Sequence, residues 1–245
     1  MKKIALITGA ATRVGKIIAK SLINNGWNVI IHYHSSKNEA EVLLQELNSK
    51  TNQIYTIQAN LSDEGQVNTI FPYINHNIGQ ICLLINNASS FVNDSVINPD
   101  YQIWQQNMSI NLRAPFLLMK DFKNQLLNQS GNIINILDYC VSKLPIGKFI
   151  SYSLSKSALW ELTKLLAVEF APKIRVNAIA PGAIMRGIRQ SEDNFNLAHT
   201  NSPLQYAGSV DDVCNAIKFL LTTKSITGEL INIDGGKHLG GELNY

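Results

Sequence analysis

Cysteine is scarce in this chain. Cys82, Cys140 and Cys214 are odd in number, widely separated and without metal-ligand spacing. That excludes a disulfide framework and a structural zinc, and reads as small apolar residues in a reducing compartment. Charge is also thin: 21 Lys and Arg against 18 Asp and Glu, 16% of 245 residues, for a net +3. So lean and balanced a set offers no basic stripe for nucleic acid. No apolar run reaches the roughly 18 residues that a membrane span needs. Met1-Lys2-Lys3 followed by Ile4 to Ile7 imitates a secretion signal only until Thr8-Gly9 interrupts it, so the cytoplasm is the expected location. The apolar share of 45% excludes a disordered chain.

What is present is alternation. Short runs rich in β-branched residues lie at 4–8, 27–33, 53–59, 81–85, 132–137, 174–179 and 229–233. Between them fall helical stretches at 14–25, 38–49, 62–77, 150–170 and 209–221, and a long one after Pro99 through Leu127 in which Pro115 marks a kink or a junction. The run at 81–85 is continuously apolar, as a parallel strand covered on both faces should be. Seven strands alternating with helices predict the α/β class: a Rossmann-type doubly wound parallel sheet with helices on both faces. No linker or repeat divides the chain, so residues 1–245 read as a single domain. Residues 187–208, rich in Asn, Ser, Gln and His and without periodicity, are expected to form a surface lid.

Thr8-Gly9-Ala10-Ala11-Thr12-Arg13-Val14-Gly15 joins the first strand to the first helix. Gly9 allows a tight exit from the strand, and Gly15 a close approach of the helix. The helix start then offers N–H groups to a pyrophosphate. Arg13 stands where a glycine could and adds a cation beside the phosphates. The second strand ends His32-Tyr33-His34-Ser35-Ser36, with no acid to grip ribose hydroxyls. Nothing there repels a 2′-phosphate, while Arg13, the histidines and the hydroxyls can donate to it, which favours NADPH over NADH. His32 reads equally as a satisfied strand-end imidazole, and Ser36 equally as a cap of the following helix.

Tyr152 and Lys156 lie four apart near a helix start and so share a face. A nearby ammonium and a bound nicotinamide ribose would lower the phenol from about 10 and make it a usable acid–base group. Asp138 ends the fifth strand at the edge where α/β sites form; its plainer role is to cap the next segment. Asn111 falls mid-helix near Pro115, where a buried amide needs a backbone carbonyl or an ordered water. Asn86-Asn87-Ala88-Ser89 leaves the fourth strand at the same edge.

Together these motifs resemble the short-chain dehydrogenase/reductases, over Lys3 to Leu239. The resemblance implies that residues 8–15 (Gly9, Arg13, Val14 and Gly15 among them) cradle the cofactor. It implies that Asn60 and Leu61 lie near the adenine, that Asn87, Ala88 and Ser89 line the adenosine side, and that Pro181-Gly182 meets the nicotinamide. Asn111, Tyr152 and Lys156 match the active-site positions. More narrowly the chain is similar to the pteridine reductases and the bacterial dihydromonapterin reductases. These share Arg13, the His32-Tyr33-His34 run and an Asn86 to Phe91 motif whose phenylalanine stacks on the pterin. They also share a carboxylate, here Asp138, where carbonyl reductases carry serine. Asp138-Tyr139-Cys140-Val141 and Asp234-Gly235-Gly236-Lys237-His238-Leu239 look closest to the dihydromonapterin reductases. Ser35 departs from the arginine common in that branch, and Asn60 from the usual aspartate. The loop from Asp138 to Tyr152 is one residue longer than usual, leaving either Lys148 or Phe149 as the substrate wall.

The implied activity is NADPH-dependent reduction of a pterin C=N bond. Asp138, Tyr152, Lys156 and Asn111 are the expected catalytic group; Phe91, Asp138, Tyr152 and Gly182 should meet substrate, with no metal. Asn111 is expected to hold a relay water. The rival enzyme reading is a 3-oxoacyl-carrier-protein or other carbonyl reductase, which wants a hydroxyl at position 138. A non-catalytic nucleotide-binding protein is the other rival. The family also pairs the helix after the fourth strand and the tyrosine-bearing helix across two-fold axes. Leu112, Phe116, Leu117, Leu159, Leu162 and Leu166 would serve both core and interface in a homotetramer.

Overall fold

The structure, a computed structural model, describes residues 3–47, 52–97, 99–126, 129–143, 148–187 and 190–240. The ends of the expected helices at 48–49 and 127, and residues 188–189 of the expected lid, lie outside the described residues. Seven parallel strands form one sheet in the order β3-β2-β1-β4-β5-β6-β7. They are β1 (Ile4–Ile7), β2 (Asn28–Tyr33), β3 (Ile54–Gln58), β4 (Leu83–Asn86), β5 (Gly131–Ile136), β6 (Ile174–Pro181) and β7 (Leu230–Ile233). The order reverses between β1 and β4, whose carboxyl ends pair at Ile7 and Ile85, and a crevice opens outside that reversal.

Alternate residues of each central strand feed two separate cores. Leu6, Ile30, Leu84 and Ile133 pack on one face with Leu118, Phe122 and Leu159, and Ile7, Ile31, Ile85 and Ile134 pack on the other with Ile18, Leu43 and Ile217. Each fully buried Leu or Ile contributes about 1.5–3 kcal/mol relative to exposure. Both faces being covered is why the strands read as unbroken apolar runs.

The covering helices are α1 (Arg13–Asn24), α2 (Lys37–Leu47), α3 (Glu64–Asn77), α4 (Tyr101–Met108), α5 (Ala114–Gln125), α6 (Ile150–Glu169), α7 (Glu192–Thr200) and α8 (Val210–Thr222). Ser209 and Asp212 form the reciprocal capping box expected at the start of α8.

Two sequence expectations gain detail. The helical stretch after Pro99 takes the junction of the two alternatives at Pro115: it is α4, a π-helical turn at Ser109–Arg113, and α5. Pro115 has no N–H for the Asn111 carbonyl, and the Ala114 N–H donates to Ser109, five residues back, so the turn widens. The aperiodic region at 187–208 contains a nine-residue helix, α7, capped by the Ser191 side chain on the Asn194 N–H. None of its residues is buried, so no apolar stripe marked it in the sequence.

Candidate active site

The carboxyl ends of β1, β2, β4, β5 and β6 deliver the expected residues to one edge. A cleft of about 450 Å³ is lined there by Gly9, Arg13, Val14, Gly15, Asn87, Ala88, Ser89, Phe91, Asp138, Tyr152, Lys156, Pro181 and Gly182.

Gly9 and Arg13 both have left-handed backbones, with φ +62° and +52°. A Cβ on Gly15 would lie 2.4 Å from the Gly9 carbonyl oxygen and 2.7 Å from Asn87 Nδ2, so only glycine fits. Thr8 holds the turn to β4: its Oγ1 accepts the N–H groups of Asn87 and Ala88 at 2.9 and 3.0 Å. Asn87 Nδ2 in turn donates to the Thr8 carbonyl at 2.8 Å. Thr12 precedes α1 without a side-chain cap, and no acid lies in the first turn, so the positive helix end faces the cleft uncompensated. Arg13 is exposed at its mouth, and its Nη2 donates to the Arg186 carbonyl at 2.9 Å. The glycine cradle and bare helix end fit a dinucleotide pyrophosphate, and the Arg13 cation at the mouth suits a further phosphate.

At the β2 end the two readings of His32 resolve toward structure. Gly9 N–H donates to His32 Nδ1 at 3.1 Å, which leaves the Nε2–H to donate to the Ala59 carbonyl at 3.1 Å. Both nitrogens are engaged inside the protein, and burial lowers the imidazole pKa to about 4 against the pull of the Ala59 bond. His32 therefore shapes the glycine turn and has no nitrogen left for the cofactor. His34 is exposed and Tyr33 half-buried, both at the strand end. The Ser36 carbonyl accepts the Ala40 N–H at the start of α2. Asn60 Oδ1 accepts the Ser62 N–H and Oγ, and the Leu61 side chain is buried in the core.

The Tyr152 hydroxyl donates to Asp138 Oδ2 at 2.8 Å. Asp138 Oδ1 accepts the Cys140 N–H at 2.9 Å, so the carboxylate is a cap and a partner of the tyrosine together. Lys156 Nζ donates to the Ile136 carbonyl at 2.8 Å and lies 5.9 Å from the Tyr152 ring centroid. Its pKa is lowered to about 8 by burial, with Asp138 opposing. Lys156 by itself does not depress Tyr152. Burial and then the Asp138 charge push the phenol well above its ordinary value, because losing its proton would set a second anion beside a carboxylate.

Asn111 is fully buried and saturated. Its Nδ2 donates to the Ser90 carbonyl and Ser155 Oγ at 2.9 and 3.0 Å, and its Oδ1 accepts the Ser90 N–H and Ser89 Oγ at 2.7 and 3.2 Å. With all four positions used, the side chain has none for a relay water; it ties the Ser89–Ser90 segment to α6.

Of the two residues expected at the wall position, Phe149 is the one packed on Phe91. Its ring stacks on Phe91 at 4.3 Å and 8°, Phe91 meets Tyr152 edge-on at 4.7 Å, and Lys148 is exposed. Sequence reasoning passed over Asp94 and Asn107, both buried polar residues beside this wall. A lone Asp or Asn in a loop or helix carries no signal until its partner is known.

The profile of the enoyl-(acyl carrier protein) reductase family matches residues 9–238. The chain belongs to the short-chain dehydrogenase/reductase superfamily. Among curated members, the 3-oxoacyl-[acyl-carrier-protein] reductases FabG of Staphylococcus epidermidis and Staphylococcus aureus are 31% and 32% identical to this short-chain reductase. The alignments cover 98% of the chain and 100% and 99% of the relatives. Among solved structures, FolM alternative dihydrofolate reductase 1 from Brucella suis, in complex with NADP, is 38% identical with a TM-score of 0.93. It covers 99% of this chain and 97% of its own. The Brucella canis counterpart, also with NADP, is 36% identical with a TM-score of 0.91, covering 99% and 96%. No helix among the described residues of this short-chain reductase is long and apolar enough to cross a membrane.

Proposed function

We propose that this short-chain reductase reduces the C=N bond of a dihydropterin, 7,8-dihydromonapterin foremost, to the tetrahydro form. The chain is an NADP(H)-dependent oxidoreductase; the pterin is the proposal. The observation that carries it is the Tyr152–Asp138 hydrogen bond, 2.8 Å long, with Phe91 edge-on to the same tyrosine. A carbonyl reductase stabilises a developing alkoxide with neutral donors, and a carboxylate at position 138 would repel that charge. A pterin offers amide and amino N–H groups that a carboxylate accepts, and a flat ring that Phe91 can cover. The FolM structures support this reading; the FabG relatives support the carbonyl-reductase alternative.

Gly9, Arg13, Val14, Gly15, Asn87, Ala88, Ser89, Pro181 and Gly182 would hold NADPH along the cleft, with Lys156 toward its ribose. The chemistry NADPH supplies when bound is a hydride for the C=N carbon. The nitrogen then needs a proton, which the Tyr152–Asp138 pair holds. The high proton affinity of Tyr152 keeps that hydroxyl loaded at neutral pH. After transfer, the pair's added negative charge lies against the Lys156 ammonium, and the Cys140 N–H steadies Asp138 Oδ1. Asp138, half-exposed, can be reloaded from water.

The proposal includes residues 187–208 as a lid. Its helix α7 is tied to the segment after Pro181-Gly182 by His199 Nδ1 and the Ala183 carbonyl, 2.9 Å apart. It also includes a homotetramer in the cytoplasm, where three free thiols would stay reduced. Leu117 and Leu159 serve the core, whereas Phe116 and Leu165 are 44% and 67% exposed beside Leu112 and Leu162 in an apolar groove that a second copy would cover. Light scattering at micromolar concentration checks this; a stable monomer would overturn it.

NADPH oxidation measured with dihydromonapterin, dihydrobiopterin, dihydrofolate and an acetoacetyl thioester tests the function. Turnover of the thioester alone would overturn the pterin reading.

A further inference from the structure

The segment carrying Phe91 is held to the helix carrying Tyr152 by three buried polar side chains. Asn107 and Asn111, one turn apart, face Ser151 and Ser155, also one turn apart, through Nδ2–Oγ bonds of 2.8 and 3.0 Å. Asn107 also donates to the Val92 carbonyl at 3.2 Å and accepts from Ser90 Oγ at 2.7 Å. The third side chain is Asp94. Its two oxygens accept the Ser151 N–H at 3.1 and 3.0 Å, and it is 9% exposed.

That bond has an unusual place. Helix α6 begins after Phe149, which has a left-handed backbone (φ +58°) and provides no side-chain cap. A bulky residue is disfavoured there and must be held by its surroundings. Its N–H donates to the Asp94 carbonyl at 3.1 Å and to Asn93 Oδ1 at 3.3 Å. The cap that α6 lacks in its own sequence is thus supplied by Asp94 from the loop after β4, with its negative charge at the positive end of the helix. Phe149, so held, stacks on Phe91. One residue therefore sets the first turn of α6, one position before Tyr152, and the pose of the aromatic wall.

We propose that Asp94 is a positioning residue, fixing the distance between the Phe91–Phe149 wall and the Tyr152 hydroxyl at which a flat substrate is held. The inference rests on the reading that substrate lies against Phe91 and Tyr152. Asp94 is remote in sequence from the glycine turn and bonds none of its residues, so its loss should spare cofactor binding.

The test uses Asp94→Ala and Asp94→Asn, the second keeping one acceptor oxygen and nearly the same volume. NADPH affinity by fluorescence titration reports folding and cofactor binding; KM and kcat are measured with dihydromonapterin. In Asp94→Ala, KM should rise about 10-fold or more and exceed the fall in kcat, as loss of a contact that holds substrate and transition state alike does. Asp94→Asn should recover part of the loss, and NADPH affinity should stay within about twofold. Unchanged KM in Asp94→Ala, or equal losses in NADPH and substrate affinity in both variants, would overturn the proposal. If wild type reduces only the acetoacetyl thioester, the pterin reading falls. The same KM comparison on the thioester then decides the role of Asp94.

Discussion

Tyr152 and Asp138 share one hydrogen bond at 2.8 Å, and it ties the protonation of three groups together. The Asp138 charge raises the proton affinity of Tyr152 and also that of Lys156, in the latter case against burial. Asp138→Asn keeps the shape and one acceptor but cannot carry a proton. Dihydropterin kcat should fall about 10²–10⁴-fold while NADPH still binds. With the negative charge gone, Tyr152 and Lys156 both lose protons more easily, so the alkaline limb of the kcat/KM profile should move to lower pH. Full turnover with an unmoved limb would leave Asp138 as the cap of Cys140 alone.

Arg13 combines a left-handed backbone with a bond to the Arg186 carbonyl, so its backbone and its charge can be separated by substitution. Arg13→Gly relieves the backbone, and Arg13→Ala does not; the glycine variant should be more stable by about 1 kcal/mol. Both remove the cation, costing NADPH about 1.5–3 kcal/mol of binding and NADH much less. Titration of both cofactors checks this, and equal losses for the two would discard Arg13 as the 2′-phosphate partner.

His32 is neutral in the fold, with its pKa lowered from 6.5 to about 4 by burial. The unfolded chain binds the proton more readily, so this contribution is fully present above pH 6.5 and is lost as pH falls through 6.5 toward 4. A shift of that size corresponds to about 3 kcal/mol. Protonating Nδ1 also breaks the bond from Gly9 N–H, so NADPH affinity should decline over the same window. Thermal melts and NADPH titrations between pH 7 and 4.5 test both effects. A His32→Gln variant with the same pH slope as wild type would remove His32 as the cause.

Gly15 has no room for a side chain, because its nearest neighbours are the Gly9 carbonyl and Asn87 Nδ2. Gly15→Ala must displace the turn or α1, at a cost of about 1–3 kcal/mol. It should lose NADPH affinity while leaving the sheet's circular dichroism in place. An unaltered affinity would mean that the turn can open without touching the cofactor cleft.

What the sequence determined by itself was everything that repeats locally. Apolar runs such as 81–85 specify strands covered on both faces, and Ser209 with Asp212 marks the start of α8; the structure has both. The Gly9–Gly15 spacing and the Tyr152–Lys156 pair are likewise legible, because a turn and one helical face set them within a few residues. The tertiary structure decided what depends on partners far along the chain. Whether His32 faces a cofactor or Gly9 depends on the β1–β2 register, 23 residues away. The Asn111 side chain is filled by Ser90 and Ser155, across 21 and 44 residues, so no local rule shows that this amide has no place left for water. The proton affinity of Tyr152 follows from its burial and from a carboxylate 14 positions earlier. Helix α7, none of whose residues is fully buried, carries no apolar period, and the cap of α6 lies 57 residues upstream in Asp94. Periodicity records burial along one element. Charge, desolvation and hydrogen-bond saturation are properties of the groups that folding brings together.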